Sequence, residues 1–419
     1  MKQGTKRLVF ALAIGCTSLV ACRRENKSAQ APADSRPQTQ QQPASRPTTS
    51  QAESRETGPA VSASRTSIAV TGDAATSLKI KATESKDIGP ACELAATAVG
   101  LVLRTEEDEL RIAGYRDGSI GALAEDAKCK TTGPVSVIGG APRRAYYVSK
   151  SRVLRREIRE DGTIGASQPT VQDAADFTRV ALARSGSGDL VAYIGREVSH
   201  ELERGAKIWL EGKSSKPLTP EGSGATSIDL GQAADQSFVF LALDGRAAMS
   251  PVHATRIDVK AGEVKVGEDR VVYVAAGAER RSALRYWNNG ESSLVLLPIS
   301  HEASGFALLS LRLDTDSQDA PAQHYDYPNG LDPAPIATAR LCGRHVAALV
   351  RPDSSAANSA HAIELVVLNE TGLVTEKRKL LTAPSIKQLV IASVDDGKAA
   401  GYLAYTSTGR THVAMLHCE

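Results

Sequence analysis

Leu110-Arg111, followed by Asp117-Gly118-Ser119-Ile120-Gly121-Ala122, is matched 44 residues further on by Leu154-Arg155 and Asp161-Gly162-Thr163-Ile164-Gly165-Ala166. Each copy reads as a strand, a Gly-containing turn and a short return. Glycine suits the positive φ that tight hairpin turns require. Looser relatives lie downstream at Ile208-Trp209-Leu210-Glu211-Gly212, Ile257-Asp258-Val259-Lys260-Ala261-Gly262-Glu263-Val264 and Glu364-Leu365-Val366-Val367-Leu368-Asn369-Glu370-Thr371-Gly372-Leu373-Val374. Repetition at this period is a property of the whole chain beyond residue 65, and it decides the architecture.

One hairpin earlier in each unit stands a continuous apolar run. The first four are Gly100–Leu103, Ala145–Val148, Leu190–Ile194 and Phe238–Leu241. The remaining three are Leu294–Leu297, Val346–Val350 and Gly401–Tyr405. Unbroken apolarity fits strands covered on both faces better than half-exposed strands. Seven such runs in four-strand units resemble a seven-bladed β-propeller over residues 66–419. No Trp-Asp or kelch signature assigns a subfamily. The final unit offers three strands, at Ile386–Ile391, Gly401–Tyr405 and His412–Leu416, so Ser67–Gly72 is expected to supply the fourth and close the ring. The competing architecture is a pair of β-sandwiches, or a domain with some helix. Asp176–Ala183 reads equally as helix or strand.

Before the repeats stand two segments of other character. Met1–Arg7 is basic and Leu8–Val20 apolar, a run too short and wrongly flanked for a membrane-spanning helix. It ends in Leu19-Val20-Ala21-Cys22. This resembles the bacterial lipoprotein signal, whose box is an aliphatic residue, a variable one, a small one and then cysteine. The resemblance implies removal of residues 1–21, acylation of Cys22 and attachment to a membrane. Arg23 in the next position implies, by that family's sorting rule, the outer membrane of a Gram-negative envelope. Residues 23–65 contain no aromatic residue and are dense in Pro, Gln, Ser, Thr and Ala. Such composition cannot bury enough apolar surface to offset chain entropy, so residues 22–65 read as a lipidated cysteine and a disordered tether.

Charge narrows the partners. The chain carries +2 overall. Without Lys2, Lys6 and Arg7, 47 basic side chains face 48 acidic ones. A near-neutral body gives no electrostatic argument for nucleic acid. Aromatics make up only 4% of the chain, so the core must be built from Val, Ile, Leu and Ala.

Candidate chemistry is sparse. Beyond Cys22, the four cysteines Cys92, Cys129, Cys342 and Cys418 permit two disulfides in an exported protein, with three connectivities open; Cys92 with Cys129 is the preferred pair. Buried free thiols are the alternative. No Gly-x-Ser-x-Gly elbow, phosphate loop or His-Glu-x-x-His is present, and nothing calls for a cofactor. The eight histidines show no ligand spacing. Asp314–Asp319 has carboxylates at calcium-loop spacing but lacks the turn Gly and distal Glu, so a solvated hairpin loop is the plainer reading. Arg143, Arg144, Lys150, Arg152, Arg155 and Arg156 form a basic hairpin around Tyr146 and Tyr147. Alternation sets Arg155 on one face and Arg156, Leu154 and Ile158 on the other. The hairpin is a candidate anion-binding patch, or equally a solvated outer strand whose charges discourage edge pairing.

The expectation from sequence is therefore a membrane-anchored envelope lipoprotein. Its propeller binds or scaffolds an unknown protein or envelope polymer. The alternatives are a periplasmic hydrolase or lyase with its site in the central channel, and a purely structural member of an envelope complex.

Overall fold

The computed structural model describes residues 76–419 except 124–128, 131–132, 197–204, 220–223, 245–250, 275–279, 282–283, 289, 291, 302–304, 314–322, 328–334, 354–359 and 395. Residues 1–21, Cys22, residues 23–65, Ser67–Gly72 and Asp314–Asp319 lie outside the described residues.

Among the described residues there is no helix, and the strands gather into seven sheets. Three short strands come first: β1 (Thr76–Ser77), β2 (Ile80–Ala82) and β3 (Lys86–Pro90). Blade 1 is β4 (Glu93–Thr97), β5 (Gly100–Arg104), β6 (Leu110–Arg116) and β7 (Ser119–Ile120). Blade 2 is β8 (Val135–Ile138), β9 (Arg143–Ser149), β10 (Arg152–Ile158) and β11 (Gln168–Gln172). Blade 3 is β12 (Ala181–Ser185), β13 (Gly188–Ile194), β14 (Ala206–Leu210) and β15 (Lys216–Pro217). Blade 4 is β16 (Ala225–Gln232), β17 (Phe238–Asp244), β18 (Val252–Lys260) and β19 (Glu263–Tyr273). Blade 5 has an inner strand in two pieces, β20 (Arg280–Arg281) and β21 (Arg285–Asn288), followed by β22 (Ser293–His301), β23 (Gly305–Arg312) and β24 (Gln323–Tyr327). Blade 6 is β25 (Ile336–Leu341), β26 (Arg344–Pro352), β27 (His361–Leu368) and β28 (Val374–Ala383). Blade 7 supplies β29 (Gln388–Ser393), β30 (Gly401–Ser407) and β31 (Arg410–Cys418). Asp176–Ala183 is not helical; it leads into β12.

The innermost strands neighbour one another in the cyclic order β4, β8, β12, β16, β21, β25, β29 and back to β4. The domain is a seven-bladed propeller. The quoted repeat sits at the corner between third and fourth strands. In blade 1, Asp117 and Gly118 form the turn with φ of 51° and 78°. The looser copies at 257–264 and 364–374 fall at the same corner of blades 4 and 6.

The seven apolar runs are the second strands, and their alternation explains the unbroken hydrophobicity. In β9, Ala145 and Tyr147 pack with Val102 and Leu110 of blade 1. Tyr146 and Val148 point the other way, to Val191 and Tyr193 of blade 3. In β30, Tyr402 and Ala404 face blade 1, while Leu403 and Tyr405 face blade 6. The core is thus a circle of seven clusters, one in each seam. A strand with a partner sheet on both faces has no polar side to show.

The ring is closed by the amino-terminal strands β2 and β3, where the sequence pattern points to Ser67–Gly72. β2 pairs with β31 through Ile80↔Cys418 to Ala82↔Leu416, and β3 pairs with it through Lys86↔Val413 to Pro90↔Arg410. The edge beside β31 is therefore filled by residues 80–90. Ile80 buries into the seam with blade 6 and Ile88 into the seam with blade 1. β1 adds a parallel pair to β28 at the rim of blade 6.

Candidate functional site

The six basic residues of the blade 2 hairpin are dispersed by strand alternation. Arg144 and Arg155 turn toward blade 3. Arg144 Nη1 donates to Asp189 Oδ2 at 2.9 Å and to Glu211 Oε2 at 2.7 Å. Arg155 pairs with Glu211 and donates to Gln168 Oε1 at 2.7 Å. The Tyr146 hydroxyl donates to Asp189 Oδ2 at 2.7 Å, and Arg184 Nε donates to Oδ1 at 2.9 Å. The Asp189 side chain is only 1% exposed. Burial pushes its carboxyl up, but hydrogen bonds from Tyr146, Arg144 and Arg184 outweigh that and hold it below the usual aspartate value. Burial and the same carboxylate push the Tyr146 phenol well above its ordinary range.

The opposite face of the hairpin turns toward blade 1. Arg156 Nε donates to the Tyr147 hydroxyl at 3.1 Å and its Nη2 to the Asp108 carbonyl. Lys150 Nζ lies 3.8 Å from Asp108 Oδ2. Arg143 is half-buried and Arg152 exposed. Four of the six cations are thus occupied by acceptors of the protein itself. What reads in sequence as one basic surface is divided: Arg144, Arg155 and Arg156 turn into two inter-blade seams, while Lys150 and Arg152 stay exposed.

Arg104 closes the second seam, and nothing in the sequence signals it. It is buried at the end of β5, with its guanidinium 4.6 Å from the centre of the Tyr147 ring. Its nitrogens donate to the carbonyls of Gly133, Glu107 and Val148 at 2.7–3.2 Å. Cation–π contact and carbonyl acceptors offset its desolvation.

The axial channel is the other place where distant residues meet. In the middle of the inner strands Ala96, Val137, Leu182, Ala339 and Val390 are partly exposed, and so are Ser227, Asp229 and Thr338, so these strands present both apolar and polar positions. Side chains stitch inner strands whose backbones do not pair. Leu94 N donates to Gln388 Oε1 at 3.1 Å, Ser136 Oγ to Val180 O at 2.7 Å, and Tyr286 N to Asp229 Oδ2 at 2.8 Å. Glu93 and Arg285 open β4 and β21 and Arg179 stands two residues before β12, while Asp229 is the fifth residue of β16. Burial, opposed by Arg104 and by a hydrogen bond with Gln388, raises the Glu93 carboxyl above its usual value.

Cys92 is bonded to Cys129 and Cys342 to Cys418, with Cα separations of 5.2 and 5.8 Å. The second bond joins the β25–β26 turn of blade 6 to the end of β31 in blade 7. His412 stacks on Tyr405 with centroids 5.2 Å apart, while His417 Nδ1 lies 3.0 Å from the Lys398 carbonyl. Among the described residues, no three His, Cys, Asp or Glu side chains gather as a metal site.

No protein-family model matches the chain, and no curated protein matches its sequence. Solved structures share the general fold at low similarity. A fucose-specific lectin from Aleuria aurantia aligns at TM-score 0.41 and 8% identity, over 67% of this chain and 89% of that one. A puromycin hydrolase aligns at TM-score 0.47 and 14% identity, over 77% of this chain and 52% of that one. An endo-arabinase from Bacteroides thetaiotaomicron aligns at TM-score 0.34 and 9% identity, over 57% and 88%. Likeness at this level transfers no ligand and no reaction, because propellers host unrelated chemistries.

Proposed function

We propose that this chain is a lipid-anchored envelope protein whose propeller is a binding module for a protein or an envelope polymer. The observation that carries the anchor is the box Leu19-Val20-Ala21-Cys22 at the end of the apolar run. Acyl chains on Cys22, each burying methylenes at about 0.8 kcal/mol apiece, hold the protein to a bilayer. Arg23 directs it to the outer membrane, and the polar tether, with a root-mean-square reach of about 35 Å, lifts the domain from the surface. A binding role is supported by the build of the ring. Apolar clusters fill all seven seams, so the loops and the channel mouth stand on a rigid frame. Such a frame positions a recognition surface with little entropy lost on binding.

Two measurements test the reading. Cys22→Ser should abolish fatty-acid labelling and release the protein from membranes; continued labelling would refute the anchor. Crosslinking of the anchored protein in cells, read by mass spectrometry, should recover a protein or glycan attached to propeller loops. Turnover of envelope glycan by the purified chain would refute the non-catalytic role.

A further inference from the structure

Two arginines stand where inner strands begin, Arg179 before β12 and Arg285 at the start of β21, and among the described residues no carboxylate is hydrogen-bonded to either. Arg179 stands two residues before β12, and among the described residues its guanidinium has no hydrogen-bond or ion-pair partner. Arg285 opens β21. Its Nε donates to Ile336 O at 3.2 Å and its Nη1 to Leu284 O at 2.9 Å. Ile336 begins β25, so the guanidinium reaches the same end of the channel at which β12 begins. Carbonyls fix its position without neutralising it.

These residues come from blades 3 and 5, yet the charge of Arg179 is felt at Arg285. Enclosure within the ring, and secondly Arg179, pull Arg285 down to about 9, with Asp229 opposing. Asp229 is itself engaged by the Tyr286 N–H. Arg285 is nevertheless half-exposed by surface, as a side chain in a water-reached channel should be. Like charges confined in such a channel focus a positive field, which an anion relieves.

A second observation lies beside Arg179. Phe177 is 70% exposed, with φ of 60°, a conformation that bulky side chains rarely adopt. Its loop is fastened by Asp176 Oδ1, which accepts the Ser151 N–H at 2.7 Å. An exposed aromatic two residues from a guanidinium with no partner among the described residues suits a ligand with one apolar face and one anionic group.

We propose that the channel mouth where the inner strands begin is a binding site for a small oxyanion, a carboxylate or a phosphate, gripped by Arg179 and Arg285, with Phe177 covering the apolar part of its carrier. The site stands independently of the membrane anchor. The test is calorimetric titration of the purified full chain with glucuronate and with inorganic phosphate. At least one should bind. Arg179→Gln should weaken that binding about tenfold or more, the loss expected for a charge-assisted hydrogen bond. Thermal unfolding should stay unchanged, because Arg179 holds nothing else in place. Preference for glucuronate, reduced by Phe177→Ala, assigns the oxyanion to a ring-bearing carboxylate. Equal binding of both, indifferent to Phe177→Ala, assigns it to a free oxyanion; either result supports the site. Failure of both anions to bind at millimolar concentration, or equal binding by Arg179→Gln, overturns it.

Discussion

Asp189 shows what one side chain does in this ring. It is buried between blades 2 and 3 and receives Tyr146, Arg144 and Arg184. Asp189→Ala leaves two guanidiniums facing an empty seam. Breaking a buried pair in this way costs about 3 kcal/mol or more, to be measured by denaturant unfolding. Because its folded pKa is depressed, its contribution is present above the unfolded value, near 3.9, and is lost as pH falls through the folded pKa. Stability of the native chain should therefore drop below about pH 4, with a shallower acid limb in Asp189→Asn. An equal slope in both proteins would place the acid sensitivity elsewhere. Sequence showed the arginines of this hairpin but not their partners. Asp189 and Glu211 lie 45 and 67 residues from Arg144, a distance that no local pattern records. Arg104 was still less visible, since a lone Arg at the end of an apolar run looks like the point where the strand surfaces.

Strands were far more legible than contacts. The continuous second-strand runs reflect a two-faced environment, and periodicity reports environment directly. The closing strand was misplaced because β2 and β3 are short and interrupted, and Gly89-Pro90 reads as a turn. Ser67–Gly72 has the cleaner alternation, but Ile80 and Ile88 fill the seams. Strand spacing also makes a sharp prediction at Gly231 in β16. A Cβ there would come within 1.7 Å of the Tyr286 ring in blade 5. Tyr286 is held at both ends, its N–H by Asp229 and its hydroxyl by the Gln232 carbonyl at 3.0 Å. It cannot easily withdraw, so Gly231→Ala should lose about 2 kcal/mol or more in chemical unfolding. Gly262→Ala, at a turn where no atom lies within 4 Å, serves as the comparison; its cost comes only from its φ of 74°. A smaller loss at Gly231 than at Gly262 would contradict the close approach.

At the scale of the whole molecule, blades 6 and 7 are joined by more than packing. Cys342–Cys418 spans 76 residues, and Arg378 pairs with Glu419 beside it. Chain-entropy arguments assign a loop of that size about 4 kcal/mol of stabilisation, of which native strain and residual structure usually return part. The double variant Cys342→Ala, Cys418→Ala should unfold several degrees lower than the parent under oxidising conditions, and the difference should vanish when both are reduced. Seven blades could be counted in the sequence because each repeats the same local design. The placing of Arg179 and Arg285 at the same end of the inner strands could not, since only closure of the ring brings blades 3 and 5 around one axis.

Blade 7 takes its strands from both ends of the domain; the Met415 N–H donates to Thr83 Oγ1 across 332 residues of chain. That separation imposes an order in time. A nascent chain can assemble blades 1 to 6 as they emerge, but blade 1 then presents Leu94 and Leu101, and blade 6 presents Val346 and Leu365, to water. Both faces stay uncovered until residues 388–418 arrive and meet residues 80–90. Loop closure over that span is slow, and an open ring with two bare apolar flanks is prone to stick to its own kind. The interval between the sixth blade and the seventh is therefore when this protein most needs a chaperone.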